Sequence, residues 1–270
     1  MCEENTLKPF FPNDAAKSLL EYAQKQFDEG GQNVHFIKNN DEANEMLNPF
    51  GNFPHAFVLA CIMDRQISAE NAWQIPFWIK ERIHGFKIND LLTLSKDEIK
   101  TIFKNFPKQH RFPETMATCF YMAVQTIQNK YNGDARTIWN DNPSSGLLVS
   151  RFLNFEGVGV KIASMATNIL VRQFGVVLKD RHCIDISPDT HAVRVFKRLH
   201  LIEGDSREET IYMAREINPV YPGILDYPCW HVGKHHCHAR NPICYGEKDK
   251  GPCPFSHFCP SKKKTNSTTT

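Results

Sequence analysis

The amino-acid sequence predicts an all-α protein, and three observations carry the prediction. Apolar residues recur at intervals of three and four, as in Ala15, Leu19, Leu20, Tyr22 and Ala23, in Phe57, Ala60, Cys61 and Met63, and in Met116, Cys119, Phe120, Ala123 and Ile127. That spacing lines one face of a helix. Runs that alternate apolar with polar residues, the mark of strands, are scarce. Polar or Pro/Gly breaks near 48–54, 106–113, 132–134, 142–146, 155–159 and 202–206 cut the chain into about ten helical segments with no fixed repeat.

The 270 residues are 41% hydrophobic, enough to bury one large core or two modest ones without disulfides. No stretch approaches the roughly 20 apolar residues of a membrane span. The first thirty residues also lack the basic start and apolar run of a signal peptide. No membrane partner is expected, and the expected address is cytoplasmic or nuclear. Nine cysteines in such a compartment stay reduced, so a cluster of them reads as a metal site before a disulfide framework. The net charge of +2 decides nothing by itself, but residues 229–264 carry +5 and the remainder −3. A basic end suits a phosphate-binding face, although many proteins that bind no DNA have one.

Along the chain, Asp14, Ser68 and Ser95 are expected as helix N-caps. Gln66 lies between two helical segments in IMDRQISAENAW, and a polar, basic loop, PKQHR, occupies 107–111. The segment FEGVGVKIAS, Phe155 to Ser164, follows an apolar helix at Leu147–Leu153 and precedes Met165, Ala166 and Ile169. Gly157 and Gly159 there make a tight turn between two helices, a helix-hairpin-helix. Backbone N–H groups bare of side chains can approach a phosphate at the start of the second helix, while an ordinary helix corner also uses glycine in this way. After a polar link, VVLKDRHCIDIS at 176–187, comes PDTHAVRVFKRL at 188–199, in which Asp189 reads as an N-cap.

Four cysteines, Cys237, Cys244, Cys253 and Cys259, fall in one loop-rich run with gaps of six, eight and five residues. Zinc sites usually use paired C-x2-C hooks, which are missing here; four thiolates in a compact run favour a 4Fe-4S cluster over zinc. Cys61 and Cys119 sit on apolar helical faces as small hydrophobes. Cys229 is near the run but spaced less suitably.

The run GKHHCHARNPIC, 233–244, resembles the cluster loop of the endonuclease III family, where a basic loop between the first two ligands faces the DNA backbone. The family has two residues between its second and third ligands, and this chain has eight, Tyr245 to Pro252. The segment at 188–199 resembles that family's V-D-T-H-x-x-R-V-x-x-R-L at Asp189, Thr190, His191, Arg194, Val195, Arg198 and Leu199, and GVGVK precedes it in the family's order. The resemblance implies a base-excision repair glycosylase with AP lyase activity. Lys161 stands where the family's bifunctional members carry their Schiff-base lysine, and Asp189 matches the catalytic carboxylate. Gln66 matches the glutamine that fills the space of the flipped nucleotide. Gly157, Gly159, Lys234 and Arg240 become DNA-binding residues, and Cys237, Cys244, Cys253 and Cys259 the ligands of a 4Fe-4S cluster. Lys161 also reads as a solvated lysine at a helix start. The family's apolar wedge has no clear counterpart, with Gln109 and His110 as candidates. Glu156 replaces the family's hairpin proline, and the 176–187 link is longer than the family's; it is expected to fold over the pocket or the DNA, offering Lys179, Arg181 and His182 to phosphates.

The resulting expectation is two helical domains. N-terminal helices (1–51) pack with a catalytic-aspartate and iron-sulfur domain (162–260), a six-helix barrel (52–161) ends in the hairpin, and 261–270 is a disordered tail. The partner is double-stranded DNA containing a damaged base or abasic site, bound by a monomer. Two other readings stay open: a single-function glycosylase of the same fold and a non-catalytic DNA-binding iron-sulfur protein.

Overall fold

The computed structural model of the chain describes residues 9–29, 36–108, 110–247 and 251–262. These form α1 (Asp14–Glu29), α2 (Asp41–Met46), α3 (Pro54–Met63), α4 (Ala69–Ile83), α5 (Ile88–Leu92), α6 (Lys96–Lys104), α7 (Pro113–Tyr131), α8 (Ser145–Leu153), α9 (Val160–Arg172), α10 (Thr190–Arg198), α11 (Arg207–Ile217) and α12 (Asp226–His235), with short 3-10 turns at Ala135–Ile138 and Pro222–Leu225. No β-strand occurs among the described residues, and no helix there is long and apolar enough to cross a membrane. Every break expected from the sequence falls between helices. Of the expected caps, Ser95 forms a full capping box with Glu98, and Ser68 occupies its N-cap position without a side-chain bond. The first helix is capped by Asn13 instead of Asp14, because Asn13 Oδ1 accepts the Ala16 N–H at 3.0 Å.

The chain divides into two compact units, one taking the described residues of 31–179 and the other those of 9–29 and 180–262. The central unit, 31–179, is organised around α3. PHAFVLACIM is apolar all round, and all ten of its residues are buried, as expected of a helix enclosed on every side. α2, α4, α7, α9 and the 3-10 turn at 135–138 surround it. Phe57 meets Trp73, Trp139 and Phe174 in this core.

The boundaries differ from those read in the sequence. The expected division at 51/52 lies at 30/31, because Ala43, Met46 and Leu47 belong to the core around α3. The division at 161/162 lies at 179/180, because Ile162, Ala163, Ala166 and Leu170 of α9 join that same core and the helix is not split.

In the terminal unit, α1 packs against α11, α12 and the 3-10 turn at 222–225, while α10 packs on α11 and α12. Tyr22 meets Phe255 edge-on with ring centroids 5.4 Å apart, and Phe27 meets Tyr221 at 5.8 Å. Asn13 Nδ2 donates to the Leu199 carbonyl at 3.1 Å. The link before α10 is anchored within its own unit. Ile184 and Ile186 are buried, and Asp185 takes a two-pronged bond from Arg215 at 2.7 and 2.8 Å. Arg181 lies over the rings of Phe27 and Tyr221, and His182 pairs with Asp180 at 3.1 Å. Both side chains have partners within the unit and remain exposed. Lys179 is exposed.

Candidate active site

Two turns of the central unit carry Gln66, Gly157, Gly159 and, just beyond the second, Lys161. The first follows α3, where Asp64 closes the helix with its N–H on the Cys61 carbonyl and the Arg65 N–H bonds the Met63 carbonyl. Gln66 then takes φ +56° with its side chain exposed. A non-glycine residue in the left-handed region is uncommon, and the turn imposes it on Gln66.

The second turn is the hairpin between α8 and α9. Phe155 is buried and stacks on Tyr131 with centroids 6.1 Å apart, fixing the base of the turn. Gly157 has φ +80°, and a Cβ there would lie 2.7 Å from Cys119 Sγ and 3.7 Å from Arg65 Nη1. The hairpin thus rests directly on α7, with the Arg65 guanidinium alongside. Gly159, the N-cap of α9, differs: a Cβ there would meet nothing within 4 Å. The start of α9 is open to a ligand. Glu156 is exposed on the hairpin, and burial, followed by the Glu156 charge, pushes the Cys119 thiol up.

Lys161 is the second residue of α9. Its side chain is 43% exposed, and its Nζ stands 3.5 Å from Asp64 Oδ2, on a carboxylate only 11% exposed. The sequence reading did not single out Asp64. Its one local signal is an acidic residue directly after the ten apolar or neutral residues of α3, before Gln66. Of the wedge candidates, Gln109 lies outside the described residues. His110 is buried, accepts the Phe112 N–H on Nδ1 at 3.1 Å, and has its pKa lowered by burial; it does not project from the loop. Phe112 does, with Arg111 over its ring.

Asp189 belongs to the terminal unit. Its Oδ1 accepts the N–H groups of His191 and Ala192, both at 2.8 Å, so it caps α10 as the sequence suggested and leaves Oδ2 to another partner. The preceding Ser187 is held by Asp226, which accepts its N–H at 2.8 Å.

The two motif arginines of α10 tie it to the cysteine loop. Arg194 donates to the carbonyls of Cys237 at 2.6 Å, Gly233 at 2.9 Å and Thr190 at 3.1 Å. Arg198 donates to the carbonyls of His238 and Ala239 and to Cys237 Sγ at 3.2 Å. Cys259 Sγ in turn bonds the Arg198 carbonyl at 3.5 Å, and the Cys253 N–H bonds the Cys244 carbonyl at 3.1 Å. Burial pushes the Cys253 thiol up to about 11, and the charges of Cys237, Cys244 and Cys259 add to it. Four sulfurs that feel one another in a half-buried setting call for positive charge among them, which fits an iron-sulfur cluster. Among the described residues no group of three or more His, Cys, Asp or Glu side chains is placed to hold a single ion. A cubane takes one thiolate per iron, so its ligands stand apart. Cys229 is fully buried on α12, as a small hydrophobe. Lys234 and Arg240 are exposed, Lys234 lying over the Trp230 ring at 4.5 Å.

Among solved structures, the chain is similar to a trapped endonuclease III–DNA covalent intermediate, with TM-score 0.61 and 19% identity over 93% of this chain and 97% of that one. A non-covalent endonuclease III–DNA complex gives the same figures. The chain has the endonuclease III fold. A thermostable thymine-DNA glycosylase shares that fold, at TM-score 0.56 and 15% identity over 92% of this chain and 96% of that one. No family model matches the sequence, and neither does any curated protein. At such identities the endonuclease III fold is carried by the pattern of burial more than by residue agreement.

Proposed function

We propose that the protein is a DNA glycosylase that removes a damaged base and nicks the strand at the resulting abasic site through a Schiff base on Lys161. The observation that carries this reading is the placement of Lys161: a half-exposed amine beside a buried carboxylate, one turn from the open N-terminus of α9 at Gly159. The agreement of PDTHAVRVFKRL with the endonuclease III motif supports it, as does the fold shared with two endonuclease III–DNA complexes.

In this reading the N–H groups around Gly157 and Gly159 bind a phosphate at the start of α9. Lys234 and Arg240 hold the backbone further along, contacts that position the duplex without reading sequence. The target nucleotide leaves the stack at a cost of a few kcal/mol. Gln66, held outward by its left-handed turn, fills the gap, and Phe112 supplies the apolar wedge. The Lys161 amine attacks C1′ as the base departs, and Asp189, through Oδ2, stabilises positive charge developing on the sugar. Elimination of the 3′ phosphate follows. Cys237, Cys244, Cys253 and Cys259 would hold a 4Fe-4S cluster, which when bound cross-links the loop and can exchange an electron. The enzyme acts as a monomer on double-stranded DNA.

Borohydride trapping on a duplex with one abasic site tests the lyase. Wild-type protein is expected to form a covalent adduct and Lys161→Ala none. Folded wild-type protein that forms no adduct rejects the Schiff base and leaves a single-function glycosylase.

A further inference from the structure

We infer that Asp64 is the positioning carboxylate of Lys161, holding its amine at the hairpin and taking up its proton when the amine becomes a nucleophile. This rests on the proposed role of Lys161 and adds a residue that the motif resemblance does not supply.

The argument begins with where the two side chains sit. Asp64 closes the C-terminus of α3, where the last carbonyls concentrate negative charge, and Lys161 occupies the first turn of α9, where N–H groups concentrate positive charge. Each charge stands at the unfavourable end of its helix. The carboxylate is also buried, a further cost for a charge without a partner. The 3.5 Å approach of Nζ to Oδ2 offsets both costs. Both helix ends meanwhile favour moving the proton from nitrogen to oxygen, since the neutral pair suffers from neither dipole. A nucleophilic amine needs that poise.

The geometry supports a directed role. Lys161 is half exposed while Asp64 is not, so the amine presents its open side outward and its carboxylate-bound side inward. The same turn that places Asp64 projects Gln66 outward at φ +56°. Proton acceptor and nucleophile thus meet at 3.5 Å, and the gap-filling residue follows the acceptor by two positions in the same turn. The other titratable groups around this turn are Arg65 beside Gly157, Glu156 on the exposed hairpin, Cys61 and Cys119, whose thiols burial pushes up, and His110, whose pKa burial lowers.

The step balances without a further reactant. The Lys161 ammonium passes a proton to Asp64, and the free amine adds to the C1′ aldehyde of an abasic site to give a carbinolamine. The Asp64 proton then leaves with the hydroxyl as water, giving the iminium and restoring the carboxylate. In base excision the same proton goes to the departing base.

The test is the rate of borohydride-trapped adduct on abasic duplex from pH 5 to 9, for wild type, Asp64→Asn and Asp64→Glu, with Lys161→Ala as the blank. Asp64→Asn keeps shape and removes charge. Its plateau rate is expected to fall about a hundredfold, and the midpoint of its acid limb to move down, because the ammonium has lost its counter-charge. Asp64→Glu is expected to return the midpoint to the wild-type position and recover part of the rate. An Asp64→Asn profile that keeps the wild-type midpoint overturns the proposal. It does so whether the rate is normal or is lowered equally in Asp64→Glu together with the melting temperature, a pattern that marks a purely structural ion pair. Absence of adduct from wild type overturns the lyase reading itself, which separates the two failures.

Discussion

The hairpin glycines differ in what a side chain would meet, and each difference has its own consequence. At Gly157 a methyl group would strike Cys119 Sγ in a left-handed backbone. Gly157→Ala is therefore expected to lower stability by about 2 kcal/mol, from the conformation and the overlap together. Cys119→Ala in the same chain should return the part due to overlap, read as a shift in the urea midpoint. At Gly159 a methyl group meets only open space, so Gly159→Ala should leave that midpoint almost unchanged. In the proposed reading it should still weaken binding to abasic duplex about tenfold, because the added carbon stands where a phosphate approaches the α9 N-terminus. Equal affinity in Gly159→Ala and wild type would remove the hairpin from the DNA contact. The glycine turn of the hairpin and the capping by Asp189 were legible in the sequence because each depends on its immediate neighbours. Asp64 was not, because its importance comes from a contact between the end of α3 and the start of α9, segments far apart in the chain.

At the scale of elements, α10 acts as a fastener. Arg194 spans from its own first turn to the carbonyls of Gly233 and Cys237, while His191 fills the space that a side chain at 233 would need. The guanidinium serves spaced acceptors from a rigid planar fork, a spread that the single nitrogen of a lysine cannot match. Arg194→Lys is expected to cost roughly 2–3 kcal/mol, measured by urea unfolding, and, in the proposed reading, to reduce iron bound per chain as the cysteine loop loosens. Unchanged stability would mean that packing alone seats the loop. The motif match flagged both arginines without revealing this duty, because their partners are backbone carbonyls that leave no trace in residue identity. The anchoring of the 176–187 link was illegible for a related reason. Its charged residues give no sign that Ile184 and Ile186 are core residues, or that Arg181 and Asp185 find partners within the terminal unit.

For the molecule as a whole, helical class and break positions followed from periodicity, whereas the two units had to be seen in three dimensions. Their boundaries fall where cores separate, and chain composition changes little there. Stability against acid is also a whole-molecule property, and one buried contributor lies on α3, the central helix of the larger unit. His55 is almost fully buried against Phe86, ring on ring, with Nε2 2.6 Å from the Phe86 carbonyl. Burial lowers its pKa. Unfolded chains protonate this ring from about pH 6.5 downward and folded chains only at lower pH, so its contribution is complete above about 6.5 and is lost as pH falls toward the depressed value. Unfolding free energy should therefore fall below pH 6.5, by at most about 1.4 kcal/mol per pH unit for this one group, and the melting temperature with it. His55→Gln should flatten that slope, and an unchanged slope would assign the acid sensitivity elsewhere.

The terminal unit is made from both flanks of the chain, with α1 seated on α11 and α12 and the whole central unit inserted between. On a ribosome, α1 is made before residues 31–179 and waits while they are made, roughly 7 to 30 s at elongation speeds of about 5–20 residues per second. The inserted unit can mature in that interval as a self-sufficient nascent domain. The helix that preceded it stays an unsatisfied amphipathic tether until the last segments are translated. In the proposed reading the four clustered cysteines hold iron, and they lie in the segment of the terminal unit that follows the inserted one, so loading of the cluster comes after the central unit has been made.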